Sequence, residues 1–337
     1  MPLLSRKPRA ITIHDVALRA GVSIATVSNV LKGRMSEVST ATAEKVQRVV
    51  EKMGYVKNLT AAALSSQRSG LVGAVMSNIF SAAPPNPDME INPFYGEFLL
   101  QLDRELQPTG STLCLYTGRE ESFVNFLLER NLDGAILVGI VAKELPSVLE
   151  RRESRLVFFD SFLQHRVYMR VQTDELKGGG MAADYLIAQG RKHLVFVGGA
   201  VRDLPSNIPA VRFEGASRVC DQSGLRLLLI EEATSFEGGR RAARRVLDLK
   251  ADGVAVAADV MAAGLIRGLQ EAGVKVPDDV AVVGYDDLPL ARMVSPPLTT
   301  VRQGLPEKVR AAVELLKDGE KGEVRIIKPH LVVRESA

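Results

Sequence analysis

The residue types that most often carry out catalysis are few here and badly spaced for it. Four histidines, His14, His165, His193 and His330, are scattered along 337 residues, and no metal or nucleophile motif brackets any of them. Cys114 in TLCLY and Cys220 in SRVCDQ sit in apolar contexts without metal-ligand spacing, and read as buried free thiols of a reduced protein. Gly178-Gly179-Gly180 resembles a phosphate loop only superficially: it is not G-x-G-x-x-G, and no Walker lysine follows. The expectation is therefore no enzyme, no metal and no cofactor. A different chemistry is offered by Ile24, Ala25, Ser28 and Asn29. On a helix through these positions Val27, Val30 and Leu31 form the inner face, which leaves the other four facing outward. An outward asparagine can pair with adenine or another base edge. Ile24 and Ala25 offer no hydrogen bonds, and could read only thymine methyls or exclude bulk.

The elements that must position those residues lie in one stretch, Thr12 to Lys32, TIHDVALRAGVSIATVSNVLK. Thr12 is a candidate N-cap, and Asp15 suits the electropositive first turn of a helix. Ile13, Val16, Ala17 and Ala20 fall on one face. Gly21 stands where the chain must leave the helix with positive φ, Val22 plugs the corner, and Ser23 caps a second helix. Two short helices about an A-G-V-S turn make the pattern of a helix-turn-helix, whose second helix lies in the DNA major groove; the alternative is an ordinary αα-corner. A third helix is expected from Ser39 to Gly54, with Val46, Val49, Val50 and Met53 as its apolar stripe. The short segment Leu59–Ser65, capped by Asn58, is too short to be stable alone in water and must order against something else. Residues 65–70 are a polar linker.

Charge supports a nucleic-acid partner. Residues 1–68 hold eleven Lys and Arg against four Asp and Glu, a net +7, while the rest of the chain carries −4. MPLLSRKPRA has no apolar h-region and no run approaches the length of a membrane span, so a cytoplasmic protein without a membrane partner is expected. From Leu71 the texture changes. LVGAVM (71–76), TLCLY (112–116), GAILVG (134–139) and RLVFFD (155–160) read as buried strands, with amphipathic helices around 95–107, 120–130 and 143–152. The alternation restarts with HLVFVG (193–198), LRLLLI (225–230), GVAVA (253–257) and VAVVGYD (280–286). Apolar strands separated by helices imply parallel sheets covered on both faces. Two successive sets imply two doubly wound lobes with a ligand in the crevice at the strands' carboxyl ends.

Together these stretches resemble the LacI/GalR (lactose-repressor/galactose-repressor) family of bacterial transcription regulators over almost the whole chain. T-I-x-D-V-A-x-x-A-G-V-S-x-x-T-V-S-x-V-L is matched from Thr12 to Leu31, followed by Tyr55 and Asn58 of Y-x-x-N, Ala61 and Leu64 of the hinge, and Asn92-Pro93-Phe94. Further on come Asp133–Ile136, the R-x-x-G of Arg212–Gly215, V-G-Y-D-D at Val283–Asp287 and S-P-P-L-T-T-V at Ser295–Val301. The resemblance implies an all-α helix-turn-helix head over 1–57, a hinge helix and linker over 58–70, and a two-lobed α/β effector domain like the periplasmic binding proteins over 71–337. The first lobe would take about 71–172 and 302–325, the second about 173–299 and 326–337.

For DNA, the resemblance places Ile24, Ala25 and Asn29 at base edges and Ser23, Thr26 and Lys32 near phosphates. It adds Thr12, Ser28, Tyr55, Asn58 and Ala61 to the DNA-facing set, and makes Leu64 the wedge that kinks the minor groove at the operator centre. A homodimer on palindromic double-stranded operator DNA follows. For the effector, it implies Arg212 and Asp286, with Asp160 at the end of V-F-F-D and Phe236 as a stacking wall.

The sequence also departs from the family. Ala258-Asp259 replaces the usual N-D pair, Asp174-Glu175 stands where D-N is usual, and a longer loop, 81–90, precedes Asn92, so contacts at Ser77 and Asn78 do not carry over. With the amide gone, the expected ligand leans on Arg212. It would be a sugar, a sugar acid or phosphate, or less readily a nucleobase. The competing reading is a solute-binding module without DNA function.

Overall fold

The computed structural model describes residues 11–31, 33–55, 69–76, 92–118, 123–139, 155–161, 168–199 and 207–337. The chain separates into two compact units at Gly70. In the first, α1 (Ile13–Ala20), α2 (Ile24–Leu31) and α3 (Thr40–Met53) close a small helical head. Each boundary has a local cause. Thr12 and Asp15 form a reciprocal capping box, with the Thr12 backbone N–H donating to Asp15 at 2.8 Å. Gly21 and Gly54 end α1 and α3 at φ near +60°, a region closed to most side chains. Ser23 Oγ accepts the Thr26 N–H at 3.1 Å, and Ser39 caps α3 in the same way. Val16, Ala20, Val27 and Val46 are fully enclosed and meet at the head's centre.

The second unit holds two six-stranded sheets. The first is built from β1 (Leu71–Val75), β2 (Thr112–Tyr116), β3 (Gly134–Val138), β4 (Arg155–Phe159) and β5 (Met169–Thr173). The second is built from β6 (Leu194–Gly198), β7 (Leu227–Glu231), β8 (Gly253–Val256), β9 (Ala281–Asp286) and β10 (Thr299–Arg302). The chain then returns to the first sheet as β11 (Val324–Ile327) and to the second as β12 (His330–Val332). The orders are β11-β5-β4-β3-β1-β2 and β12-β10-β9-β8-β6-β7, the same winding used twice. Every pairing is parallel except β10 with β12. Strands such as GAILV and AVVGYD are buried along their whole length because helices cover both faces.

The covering helices are α4 (Pro93–Leu106), α5 (Phe123–Glu129) and α10 (Leu305–Asp318) on the first sheet. On the second they are α6 (Glu175–Ala188), α7 (Ile208–Gln222), α8 (Phe236–Asp248) and α9 (Asp259–Glu271). The Gly178–Gly180 run belongs to packing. A Cβ at Gly179 would stand 1.9 Å from the Arg212 carbonyl oxygen, and one at Gly215 1.9 Å from that of Leu176. α6 and α7 therefore touch backbone to backbone. The chain crosses between sheets after β5, after β10 and after β11. The last crossing follows Ile327, two residues beyond the boundary expected from sequence. Among the described residues no helix is long and apolar enough to cross a membrane.

Candidate functional site

Two surfaces hold the chemistry, one in each unit. In the head, the α2 spacing leaves Ile24 and Ala25 exposed, Ile24 at 42 %, and Ser28 and Asn29 half-buried. Asn29 Nδ2 donates to Glu37 Oε2 at 2.7 Å, so the amide is held by the short 3-10 turn Met35–Glu37 that follows α2. Ser23 and Thr26 share a hydroxyl–hydroxyl bond of 2.8 Å at the start of α2. Tyr55 is half-buried and packs against the head's apolar centre. Lys32, Asn58, Ala61 and Leu64 lie outside the described residues, as do Ser77, Asn78, loop 81–90 and the helix expected at 143–152.

In the second unit, polar side chains gather where the two sheets present their carboxyl ends, the place an open α/β sheet binds ligands. Asp160 follows β4, Asp286 ends β9, Glu175 opens α6 just after the first crossover, and Gln303 lies on the second. Lys308 Nζ, fully buried, donates to both Asp160 oxygens at 2.8 and 2.6 Å and to Gln303 Oε1. Gln303 Nε2 donates to Asp286 Oδ1 at 2.6 Å. Arg212 lies 3.6 Å from the same oxygen. Its Nε and Nη2 donate to Glu175 at 2.7 and 3.3 Å, and its Nη1 to the Ala257 carbonyl at 2.6 Å. The guanidinium also stacks 3.5 Å from the centre of the Tyr285 ring. One polar chain, Asp160–Lys308–Gln303–Asp286–Arg212–Glu175, thus runs from the first sheet to the second. Thr173 ties the two crossovers together through the Gln303 carbonyl at 3.0 Å.

The backbone is bent to make this chain. Asp160, Asp286 and Asp287 have φ of +52°, +118° and +57°, and such positions persist only where the surroundings over-determine them. The over-determination is visible. Asp259 Oδ2 accepts the Leu288 N–H at 2.8 Å and its Oδ1 accepts Thr300 Oγ1 at 2.5 Å. Asp287 is held by Arg302 at 2.7 Å and Arg334 at 2.5 Å. The protonation states then follow from burial and pairing. Burial pushes the Asp160 carboxyl up against the pull of Lys308. Burial would also raise Glu175, but Arg212 outweighs it and the net shift is downward. Burial raises Asp286 to about 7, beyond what Arg212 offsets, with the Glu175 charge adding to the rise. Asp286 also lines a cavity of about 530 Å³ between α4, the loop after β9 and the start of α10.

Comparison with known proteins agrees with both units. Residues 12–58 match "Bacterial regulatory proteins, lacI family", and residues 183–337 match "Periplasmic binding protein-like domain". The HTH-type transcriptional regulator DegA of Bacillus subtilis is 31 % identical over 96 % of this chain and 97 % of its own length. The chain belongs to the lacI family. A solved CelR–cellobiose complex superposes with a TM-score of 0.68 at 28 % identity, over 97 % of this chain and all of that one. The lac repressor dimer bound to operator and the anti-inducer ONPF gives 0.77 at 23 % identity, over 97 % and 99 %, a likeness of fold. LacI-family relatives are transcriptional regulators, not enzymes, and so is this chain.

Of the effector residues expected for this lacI-family regulator, Arg212, Asp286 and Asp160 come together in the polar chain. Phe236 opens α8 behind the Ser235 cap and packs, half-buried, against the core of the second sheet. All three Arg212 nitrogens are engaged within the protein, which removes the ground for expecting an acidic ligand to lean on it. Asp259, beside the missing amide, is wholly buried and structural. Sequence reasoning missed Lys308, Gln303 and Tyr285. Lys308 had a signal: Leu305, Lys308, Val309 and Ala312 share one helical face, and a lysine in an apolar stripe calls for a buried partner.

Proposed function

We propose that this lacI-family regulator is a repressor that binds a palindromic operator as a homodimer and is controlled by a small-molecule effector in the cleft between its lobes. It would work in the cytoplasm, at the nucleoid. The head, residues 1–57, supplies the DNA contacts: Ile24, Ala25 and Asn29 at base edges, Thr12, Ser23, Thr26, Ser28 and Lys32 around them, and Tyr55 at the exit. Residues 58–70 supply a hinge helix and linker; the hinge folds on the operator, with Asn58 and Ala61 at the minor groove and Leu64 as the wedge. The body receives the effector through Asp286 and Arg212, with Asp160 on the opposite lobe.

The observation that carries this reading is the polar chain. It joins one lobe to the other by way of the first two crossovers, so a ligand that bonds Asp286 or Arg212 must compete with bonds that set the lobe angle. A ligand shifts that equilibrium only by its differential affinity for the two arrangements. The lobe angle in a dimer sets the separation of the two hinges, and so whether both can fold on DNA. The solved structures of an operator-bound lac repressor dimer, similar in fold, and of a CelR–cellobiose complex support the two halves of the reading. The test is a gel shift with the full chain and with a chain beginning at Leu71. The full chain should bind operator and release or tighten on effector; the shorter chain should bind effector alone. A short chain that retains operator binding refutes the assignment.

A further inference from the structure

The buried chain contains three carboxylates, Asp160, Glu175 and Asp286, and two cations, Lys308 and Arg212. Both cations are consumed. The three Lys308 protons face three acceptor oxygens, and each Arg212 nitrogen has an acceptor. An incoming carboxylate or phosphate would find no free cation here. Asp286 is the carboxylate left short. Its Oδ1 takes Gln303 and the long Arg212 approach, whereas Oδ2 has no hydrogen-bond donor among the described residues. Its side chain is only 4 % exposed, yet it lines the 530 Å³ cavity, a size suited to a small ligand.

The cavity wall repeats the imbalance. Asp287 is neutralised by Arg302 and Arg334, which uses up Arg302 as well. What remains is Glu97 from α4, Glu307 from the first turn of α10 and Asp286, against Arg292 alone. A cavity whose remaining wall charges are three carboxylates, one of them the buried Asp286, against a single arginine is built to receive positive charge.

We propose that the effector carries a protonated amine, received by Asp286 from this cavity. The inference rests on the reading of Asp286 as an effector contact and narrows it to a ligand class. The amine supplies the cation that the buried chain lacks, and Glu97 and Glu307 raise its local concentration at the mouth. Glu175 is what sets the class, because it fills the guanidinium fork that would otherwise take an anion.

The test uses full-length protein and matched probes: glucosamine, glucose and glucuronate, and putrescine beside 1,4-butanediol. Thermal shift and calorimetry should find stabilisation by an amine and none by its neutral or acidic twin. Asp286→Asn should cut amine affinity tenfold or more. A Glu97→Gln and Glu307→Gln double variant, which leaves the buried chain intact, should lower it severalfold and make the remainder less salt-sensitive. A neutral or acidic probe that binds as well as its amine twin overturns the proposal, as does a set in which no amine stabilises the protein. Operator titration separates the two readings. An amine that binds in the Asp286-dependent way without changing operator affinity upholds the cation site and refutes its role as the effector site. Operator control by glucose or glucuronate does the reverse.

Discussion

Asp286 shows how one residue can report on the whole cleft. A free aspartate loses its proton near 3.9, whereas Asp286 holds its own to about 7 in the folded chain. Between these values the native state binds more protons than the unfolded one, so this group's stabilisation is fully present below about 4 and is lost as pH rises to about 7. Thermal unfolding midpoints should therefore fall from pH 5 to pH 8, and Asp286→Asn should flatten that fall, leaving the variant relatively more stable at the upper end. In the head, Asn29 is the outward residue with the richest hydrogen-bonding capacity, and Glu37 holds it in the free protein. Asn29→Ala should relax discrimination at one operator position, by about 1–3 kcal/mol if the amide makes a two-bond contact to a base. Competition between operators differing at single base pairs measures it. Uniform weakening across all positions would instead mark Asn29 as a phosphate or packing residue.

At the scale of elements, the contact between α6 and α7 is what keeps the polar chain in place. Glu175 is the first residue of α6 and Arg212 lies on α7, and the two helices meet backbone to backbone at Gly179 and Gly215. Gly179→Ala would drive a methyl into the Arg212 carbonyl, an atom that cannot rotate aside. Overpacking of this kind costs about 1–3 kcal/mol. Denaturant titration should show that loss, together with weakened effector response, because separating the helices lengthens the Glu175–Arg212 bonds. The hinge offers the complementary prediction. If residues 58–64 fold only on the operator, Leu64→Ala should weaken specific binding far more than non-specific binding, since the wedge matters only on the bent cognate site. Parallel titrations on operator and random duplex decide this, and equal losses on both would exclude a minor-groove role.

For the molecule as a whole, the asymmetry of charge governs how it meets DNA. A head segment of net +7 on a body of net −4 concentrates phosphate attraction at one end of the chain. Operator affinity should fall steeply with salt, linearly on logarithmic axes, because each neutralised phosphate releases its counterions. Binding isotherms over a range of potassium chloride give the slope, and a slope near zero would contradict an electrostatic head. Effector affinity for the body should shift less over the same range, since the polar chain is shielded from solvent ions and only Glu97 and Glu307 at the cavity mouth add a screened attraction.

Much of this architecture is local and therefore legible in the sequence. Capping residues, helical glycines and the apolar faces of α1, α2 and α3 are set by spacings of a few residues. Buried strands such as GAILV announce themselves by unbroken apolar runs. TLCLY reads the same way, but β2 lies at the edge of its sheet and no residue of it is buried, so Cys114 is half-buried where a buried thiol was expected, while Cys220 is buried. β5, β10 and β11 do not announce themselves. β10 and β11 have four residues each, β5 and β11 alternate in burial, and all three flank the crossovers, so only pairing with distant partners makes them strands. The site divides in the same way. Asp160, Arg212 and Asp286 could be picked out by motif and by their positions at strand ends, and Glu175 as an unusual residue in its motif. Which charges neutralise which could not. Lys308 and Asp160 are 148 residues apart and Arg212 and Glu175 are 37 apart, and no periodicity links them. The sequence by itself thus determined the elements, their alternation and the basic head, because those depend on neighbours along the chain. Only the tertiary structure decided that the arginine fork is already filled by Glu175 and that Asp286 has only a long 3.6 Å approach from Arg212, because ion pairing in a low-dielectric interior depends on distances that the folded chain alone creates.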